Sequence, residues 1–247
     1  MNAEILRPAW SVPSRVRSAM TLRGGGCSVA PFDSLNLGTH VGDDADTVAR
    51  NRARLRATLA LPGNPLWLQQ VHGAVVHVAK ESPPPTPPVA DAAVCRIPGV
   101  VLTVMVADCL PVLLAERSGT VIAVAHAGWR GLAAGVLEAA VTAMGVDPGT
   151  ITAWLGPAIS QPNFEVGEEV LQALVAADAG ASVAFERNAS GRWQCDLPQL
   201  ARRRLQALGI GAMVDCGLCT FERRADFYSF RRDGRTGRMA ALLWLEP

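Results

Sequence analysis

Residues 100–131 read VVLTVMVADCLPVLLAERSGTVIAVAHAGWRG. They contain three strand-sized apolar runs, Val100–Val106, Val112–Ala115 and Thr120–Ala125. None of the runs alternates cleanly between polar and apolar residues. Each therefore suits a strand buried on both faces, beneath helices or a second sheet. The first run leads into Ala107-Asp108-Cys109, and the third into His126-Ala127-Gly128-Trp129-Arg130-Gly131. Side chains at strand ends are positioned by a rigid scaffold yet stay open to a ligand.

Similar strand-like runs recur at Pro65–Val71, Ala74–Ala79, Ile151–Leu155, Ser182–Phe185, Gly211–Asp215 and Met239–Leu245. Helical patterns occupy Asp44–Leu59, Leu132–Met144, Gly167–Ala177 and Leu197–Leu208. Glu168 and Glu169 favour a helix N-terminus. Pro198 suits a first helical turn, and Gly209 a helix end. The irregular order of strands and helices predicts layered α+β architecture rather than a regular βαβ barrel. A length of 247 residues suits one domain spanning residues 1–247. The proline-rich stretch 82–88 cannot join a sheet or a helix interior, so it reads as a surface loop within that domain.

Composition narrows the function. With 49% hydrophobic and 18% charged residues, the chain has ample material for a core. A formal net charge of +1 gives no electrostatic reason to expect nucleic acid or an acidic membrane as partner. Local arginine clusters at Arg202–Arg204 and Arg223–Arg238 keep anion binding open. The N-terminus lacks the continuous apolar segment of a secretory signal, and the apolar runs are too short to span a bilayer. The expected location is the cytoplasm, where the six cysteines stay mostly reduced. They then serve as core residues, metal ligands or nucleophiles.

The four histidines are His40, His72, His77 and His126. His72 and His126 each follow an apolar run, as Cys109 does. On spacing alone two readings stand: three packed core residues, or three converging ligands. Structural zinc sites prefer four local ligands, whereas catalytic ones use three distant ligands and a water. The separations here fit only the catalytic kind. A thiolate ligand favours zinc or copper over magnesium or calcium.

Other motifs are two-sided at this level. Gly128 and Gly131 mark either a close approach of backbone to ligand or an ordinary strand-to-helix turn. Asp108 either orients a ligand or caps a turn. The run Phe227–Arg238 reads as a hairpin with a solvated tip, or as an arginine clamp for phosphate or carboxylate. Cys216-Gly217-Leu218-Cys219 is a lone CxxC and carries little weight. A zinc deaminase signature would need a His-x-Glu companion, which neither His72 nor His126 supplies.

A set of motifs in order makes the chain recognisable: Asn36-Leu37-Gly38-Thr39-His40-Val41-Gly42-Asp43-Asp44, Asn51-Arg52, Gln70-Val71-His72-Gly73, Ala90-Asp91-Ala92, Ala107-Asp108-Cys109-Leu110-Pro111, His126 to Gly131, Leu155-Gly156-Pro157-Ala158-Ile159, Phe164-Glu165-Val166-Gly167, Cys219-Thr220 and Phe230-Arg231-Arg232-Asp233-Gly234. Together they closely resemble the bacterial YfiH-like family, also called the laccase-domain or polyphenol-oxidase family. The resemblance runs from about Arg23 to the C-terminus, with Phe227-Tyr228 a mild variation. It implies a layered sandwich of two mixed β-sheets flanked by helices. It also implies a metal site at His72, Cys109 and His126, holding zinc or, in some reports, copper. The implied activities are phosphorolysis of adenosine, inosine and methylthioadenosine, and hydrolytic deamination of adenosine. A further implied role is removal of serine wrongly attached to UDP-muramic acid in peptidoglycan precursors.

The residues themselves test these options. A multicopper laccase needs roughly ten histidines, and four exist. Deamination fits a metal that acidifies water, with Asp91 or Glu165 as candidate proton carriers. Phosphorolysis needs phosphate held by cations, for which Arg130, Arg231, Arg232 and Arg52 are candidates; Asn36 and Gln70 join the substrate-binding set. The rivals are a Cys109 nucleophile paired with His126 or His72, suited to amide hydrolysis, and a non-catalytic metal-binding protein. The expected partners are a small nucleoside and phosphate, with no nucleic acid and no membrane, in a monomer or homodimer.

Overall fold

The computed structural model describes residues 2–247. Two mixed sheets form the centre. One contains β1 (Ile5–Leu6), β2 (Val16–Thr21), β3 (Pro65–Leu66), β6 (Val101–Val106) and β14 (Met239–Leu245), in the order β1-β2-β14-β6-β3. Its β3–β6 pair is parallel and the others antiparallel. The other sheet contains β4 (Val76–Val78), β5 (Ala92–Cys95), β7 (Leu110–Glu116), β8 (Ile122–Ala127), β9 (Ile151–Leu155) and β13 (Ala212–Asp215), in the order β13-β9-β7-β8-β5-β4. Here the two outer pairs are parallel.

The continuous apolar runs follow from covering both faces of these sheets. In β14, Met239, Ala241, Leu243 and Leu245 pack toward the second sheet, against Leu113, Ile122, Val124 and Trp154. Alternate residues Ala240, Leu242 and Trp244 pack the other way, beneath α1 (Ala45–Leu59). Asp44 caps α1 by accepting from the Thr47 amide, and Leu55 and Leu59 reach the sheet from its buried stripe. Each leucine buried there contributes about 2 kcal/mol. The far face of the second sheet is covered by α2 (Trp129–Ala134), α3 (Val136–Met144), α4 (Glu168–Ala177) and α5 (Leu197–Ala207). The layers therefore run helix, sheet, sheet, helices.

The structure differs from the sequence expectation at several points. The 132–144 helix is two helices, broken at Gly135, whose φ of 86° ends the first by a left-handed cap. Residues 182–184 are the end of a 3-10 turn, Ala179–Ala184, started by the Asp178 side chain accepting from the Gly180 amide; the strand β11 (Phe185–Arg187) follows. β11 joins β10 (Glu165–Val166) and β12 (Trp193–Cys195) in a third, small sheet. The expected 65–71 strand stops at Leu66, because the chain leaves the first sheet there to reach the second. The 227–238 run is not a hairpin. Ser229 caps a short helix, α6 (Phe230–Asp233), which leads through a turn into β14. Residues 82–88 carry neither helix nor strand.

Candidate metal centre and its cleft

Three chain segments meet at one end of the two sheets. Cys109 lies where the chain passes from β6 of the first sheet to β7 of the second. His72 lies on the loop between β3 and β4, which also passes between the sheets. His126 is within β8, opposite Pro111 of β7, rather than beyond the strand as its run predicted. One ligand atom from each residue falls within 4.8 Å of the others. Cys109 Sγ is 3.9 Å from His72 Nε2, and the two imidazole rings meet edge-on at 4.8 Å.

The backbone is bent to achieve this. His72 has a φ of 61° and Asp108 one of 93°, both in the left-handed region that non-glycine residues rarely adopt. Asp108 is held there by its own side chain, which accepts from Thr220 Oγ1 at 2.7 Å and from the Arg231 amide at 2.6 Å. Gly128 faces the thiol. A Cβ at that position would sit 2.8 Å from Cys109 Sγ and 3.3 Å from His72 Cδ2, so only glycine leaves the site intact.

Asp91 lies behind the triad and is completely buried. Its Oδ1 accepts from His126 Nδ1 at 2.9 Å and from the His72 amide at 2.9 Å. Its Oδ2 accepts from the amides of Val71 at 3.1 Å and Gly73 at 2.7 Å. One carboxylate thus fixes the tautomer of His126, leaving Nε2 for a ligand, and also holds the loop that carries His72. Desolvation works against its charge, but the hydrogen bonds from His126, Gly73 and Val71 keep its carboxyl below the usual range.

The electrostatics favour a thiolate. Burial pushes the Cys109 thiol up, yet the charge of His126 and hydrogen bonds from His126 and His72 bring it down to about 6. Burial likewise disfavours a charged His126, but the Cys109 thiolate and Asp91 raise it to about 9. The donor set therefore fits a zinc-like ion. It offers a ready thiolate and two imidazole nitrogens, with a carboxylate behind one of them. A tetrahedral zinc holds such donors roughly 3.3–3.7 Å apart, so the observed spacing closes on an ion with small side-chain movements. Among the described residues this is the group that brings three such ligands together.

The triad opens into a cleft of about 460 Å³, within the usual range for a small-molecule site. Trp129, Phe164 and Phe230 supply aromatic walls, and Arg130, Arg231 and Arg238 supply charge. Of the residues expected from sequence, the cleft gathers His72, Cys109, His126, Gln70, Arg130 and Arg231. Gln70 is clamped to Met105 by two hydrogen bonds of 2.8 Å. Arg130 stacks on Trp129, and Arg231 donates to the Glu165 carbonyl at 2.8 Å.

The remaining candidates do not line it. Arg232 spends its guanidinium on the carbonyls of Thr220, Phe221 and Phe227 and on Asp233. Arg52 donates twice to the Leu37 carbonyl and stacks on Trp67 at 3.8 Å. Asn36 is fully buried and ties Gly38 to the Arg238 amide. The Glu165 carboxylate pairs with Arg192 and Asn188. Sequence reasoning held Arg238 only within the Phe227–Arg238 run read as a hairpin or an arginine clamp, not among its individual candidates, and gave His40 no role. Arg238 stands among many arginines with no spacing signal to set it apart. The scarcity of histidine was the one sign that pointed to His40.

Comparison with known proteins agrees with this architecture. A family model described as "multi-copper polyphenol oxidoreductase laccase" matches residues 17–246. A protein of Pseudomonas aeruginosa named purine nucleoside phosphorylase PA4543 is 53% identical, with 100% of both chains covered. Purine nucleoside phosphorylase YfiH of Escherichia coli is 47% identical, covering 98% of this chain and 99% of its own. Among solved structures, Neisseria meningitidis protein NMB0706 superposes with a TM-score of 0.94 at 45% identity, covering 99% of this chain and 100% of its own. YlmD from Geobacillus stearothermophilus gives 0.89 at 31% identity, covering 95% and 93%. A match over nearly the whole length, in sequence and in fold, establishes that the chain belongs to the polyphenol oxidoreductase laccase family, the YfiH-like family that its motifs resemble.

Proposed function

We propose that the protein is a metal-dependent purine nucleoside enzyme. Its reactions would be phosphorolysis of adenosine, inosine and methylthioadenosine, and hydrolytic deamination of adenosine. One observation carries the reading: a thiolate–imidazole triad opens into a cleft whose other walls are aromatic and cationic. The names of close relatives support the phosphorolytic part.

In this reading Phe230 and Trp129 offer faces for a purine ring. Arg130 and Arg231 hold an anionic nucleophile, through donors their present contacts leave unused. An ion at His72, Cys109 and His126, zinc in the first instance and copper as an alternative, supplies Lewis acidity. Asp91 acts as a positioning residue, because its four hydrogen bonds leave it no role as a proton carrier. Glu165, whose carbonyl accepts from Arg231, braces the arginine rather than reacting. A multicopper oxidase reading is disfavoured. His77 lies in the edge strand β4 and not in the cleft, so the chain lacks histidines for a trinuclear cluster.

The test is one assay on metal-analysed protein. Adenosine is incubated with and without phosphate, and adenine, inosine, hypoxanthine and ribose 1-phosphate are quantified beside Cys109→Ala and His72→Ala. Stoichiometric metal with neither reaction sinks the nucleoside reading. Undiminished activity in both variants removes the triad from catalysis.

The low Cys109 thiol favours a second reading, an amide hydrolase that uses the thiolate as nucleophile, as in removal of serine from a UDP-muramyl precursor. Metal content separates the two, since a nucleophilic thiolate must be uncoordinated. A cytoplasmic location goes with either. Among the described residues, no helix is long and apolar enough to cross a membrane.

A further inference from the structure

We propose that the cleft continues into a second subsite, between residues 40–42 and the 234–238 turn, that binds a phosphoryl group. The deduction deepens the nucleoside reading and rests on it for the identity of the molecule that carries the phosphoryl group. The subsite itself rests on geometry.

A smaller cavity of about 310 Å³ opens there, lined by His40, Phe230, Arg235, Thr236 and Arg238 among others. It shares His40, Phe230 and Arg238 with the metal-centre cleft, so one ligand can span both. Arg238 is the shared cation. Its amide donates to Asn36 Oδ1 at 2.9 Å, and its Nη1 donates to the carbonyls of Thr236 and Gly237 at 3.1 and 3.0 Å. Among the described residues its Nε and Nη2 have no hydrogen-bond partner, and no carboxylate pairs with it in a salt bridge. Of the negative groups that act on it through space, Cys109 and Asp108, the latter is already committed to Thr220 and the Arg231 amide. A half-buried guanidinium held in place with two donors left over is a placed anion receptor.

Two further features point the same way. Thr236 is 1% exposed, and its hydroxyl has no partner in the protein. A buried hydroxyl left unpaired is costly unless a ligand or water completes it. The wall is also rigid. Arg235 donates to the Gly42 carbonyl at 2.7 Å, and a Cβ at Gly42 would sit 2.9 Å from that guanidinium. Burial, and then the charges of Arg238 and Arg52, disfavour a charged His40, and no acid is among the groups that act on it. The subsite is thus a cationic corner in which no carboxylate is bonded to Arg238; Cys109 and Asp108 act on it only through space. A phosphoryl dianion fits it: inorganic phosphate as co-substrate, or the phosphate ester of a nucleotide.

The experiment uses the metal-loaded protein and calorimetric titration with three probes: inorganic phosphate, adenosine and adenosine 5′-monophosphate. Wild type is compared with Arg238→Gln, Thr236→Val and, as a charge control outside both cavities, Arg17→Gln, whose guanidinium pairs with Glu246 at the surface. Thermal midpoints and metal content establish folding, and Thr236→Val, nearly isosteric, guards against a collapsed Arg238 variant. The expected result is a loss of tenfold or more in affinity for a phosphoryl-bearing probe in Arg238→Gln, and of a few-fold in Thr236→Val. Adenosine affinity stays within about threefold. If inorganic phosphate shows the loss, phosphate is a co-substrate there; if only the monophosphate shows it, the subsite reads a nucleotide ester. Folded Arg238→Gln and Thr236→Val proteins that bind both phosphoryl probes as wild type does overturn the proposal, as does a wild type that binds neither. Arg238-dependent phosphate binding without any nucleoside turnover would instead keep the subsite and remove the nucleoside reading.

Discussion

The two walls of the cleft are made differently. The metal wall is built from strand ends and one loop lashed to a buried carboxylate, and its charges are set against one another, with the His126 imidazolium between the Cys109 thiolate and Asp91. The opposite wall is built from turns and a short helix, and its cations, Arg231 and Arg238, have no carboxylate partner. A balanced wall holds its shape without ligand, as an ion site must if it is to keep one geometry. An unbalanced wall holds positive charge in reserve for an anion.

That contrast sets the sizes of the expected effects. Replacing Cys109 or His126 by Ala removes a ligand outright, so bound metal measured by mass spectrometry falls to background and turnover drops by a factor of roughly a thousand. Asp91→Asn keeps the volume but cannot accept from all four donors. Metal affinity is expected to fall about 10–100-fold, and the thermal midpoint by several degrees. Should Asp91→Asn bind metal like wild type, the balanced wall does not depend on its carboxylate. Gly128→Ala pushes a methyl against Cys109, at a cost of about 1–3 kcal/mol, visible as weaker metal binding with an unchanged fold by circular dichroism. On the other wall, Arg231→Gln is expected to raise the KM for phosphate only a few-fold, with the difference shrinking as salt is added.

The smallest effect is in the metal-free protein. Cys109 is depressed to about 6, so the stability it contributes is lost as pH falls through 6. His126 is raised to about 9, so its contribution is lost as pH rises through 9. The thiolate absorbance near 240 nm and the thermal midpoint of stripped protein should both hold between these values. A midpoint that keeps rising past pH 9 would argue against the ion pair.

What the sequence makes legible follows from the same division. Ile151–Leu155 and Met239–Leu245 are found at their expected bounds, because strands covered on both faces announce themselves as unbroken apolar runs. The three metal-wall residues stand out because histidine is scarce and each lies near the end of such a run. Asp91's function is not visible in the chain, since its four donors come from residues 18 to 35 positions away. The turn-built wall is harder still. Arg231, Arg232, Arg235 and Arg238 look alike in sequence, yet Arg232 braces carbonyls while Arg238 faces the cleft. Only the course of α6 and the turn after it separates them.

Cys109 and His72 both sit on connections that pass from one sheet to the other, while His126 belongs to the second sheet alone. An ion held by all three would act as a rivet through the two layers. Any slip of one sheet over the other would stretch its bonds, and its loss would leave the sandwich softer to shear at that end. The same atoms proposed for the chemistry would then set the mechanical stiffness of the fold, and hydrogen exchange in β6 and β7 would rise together when the ion is removed.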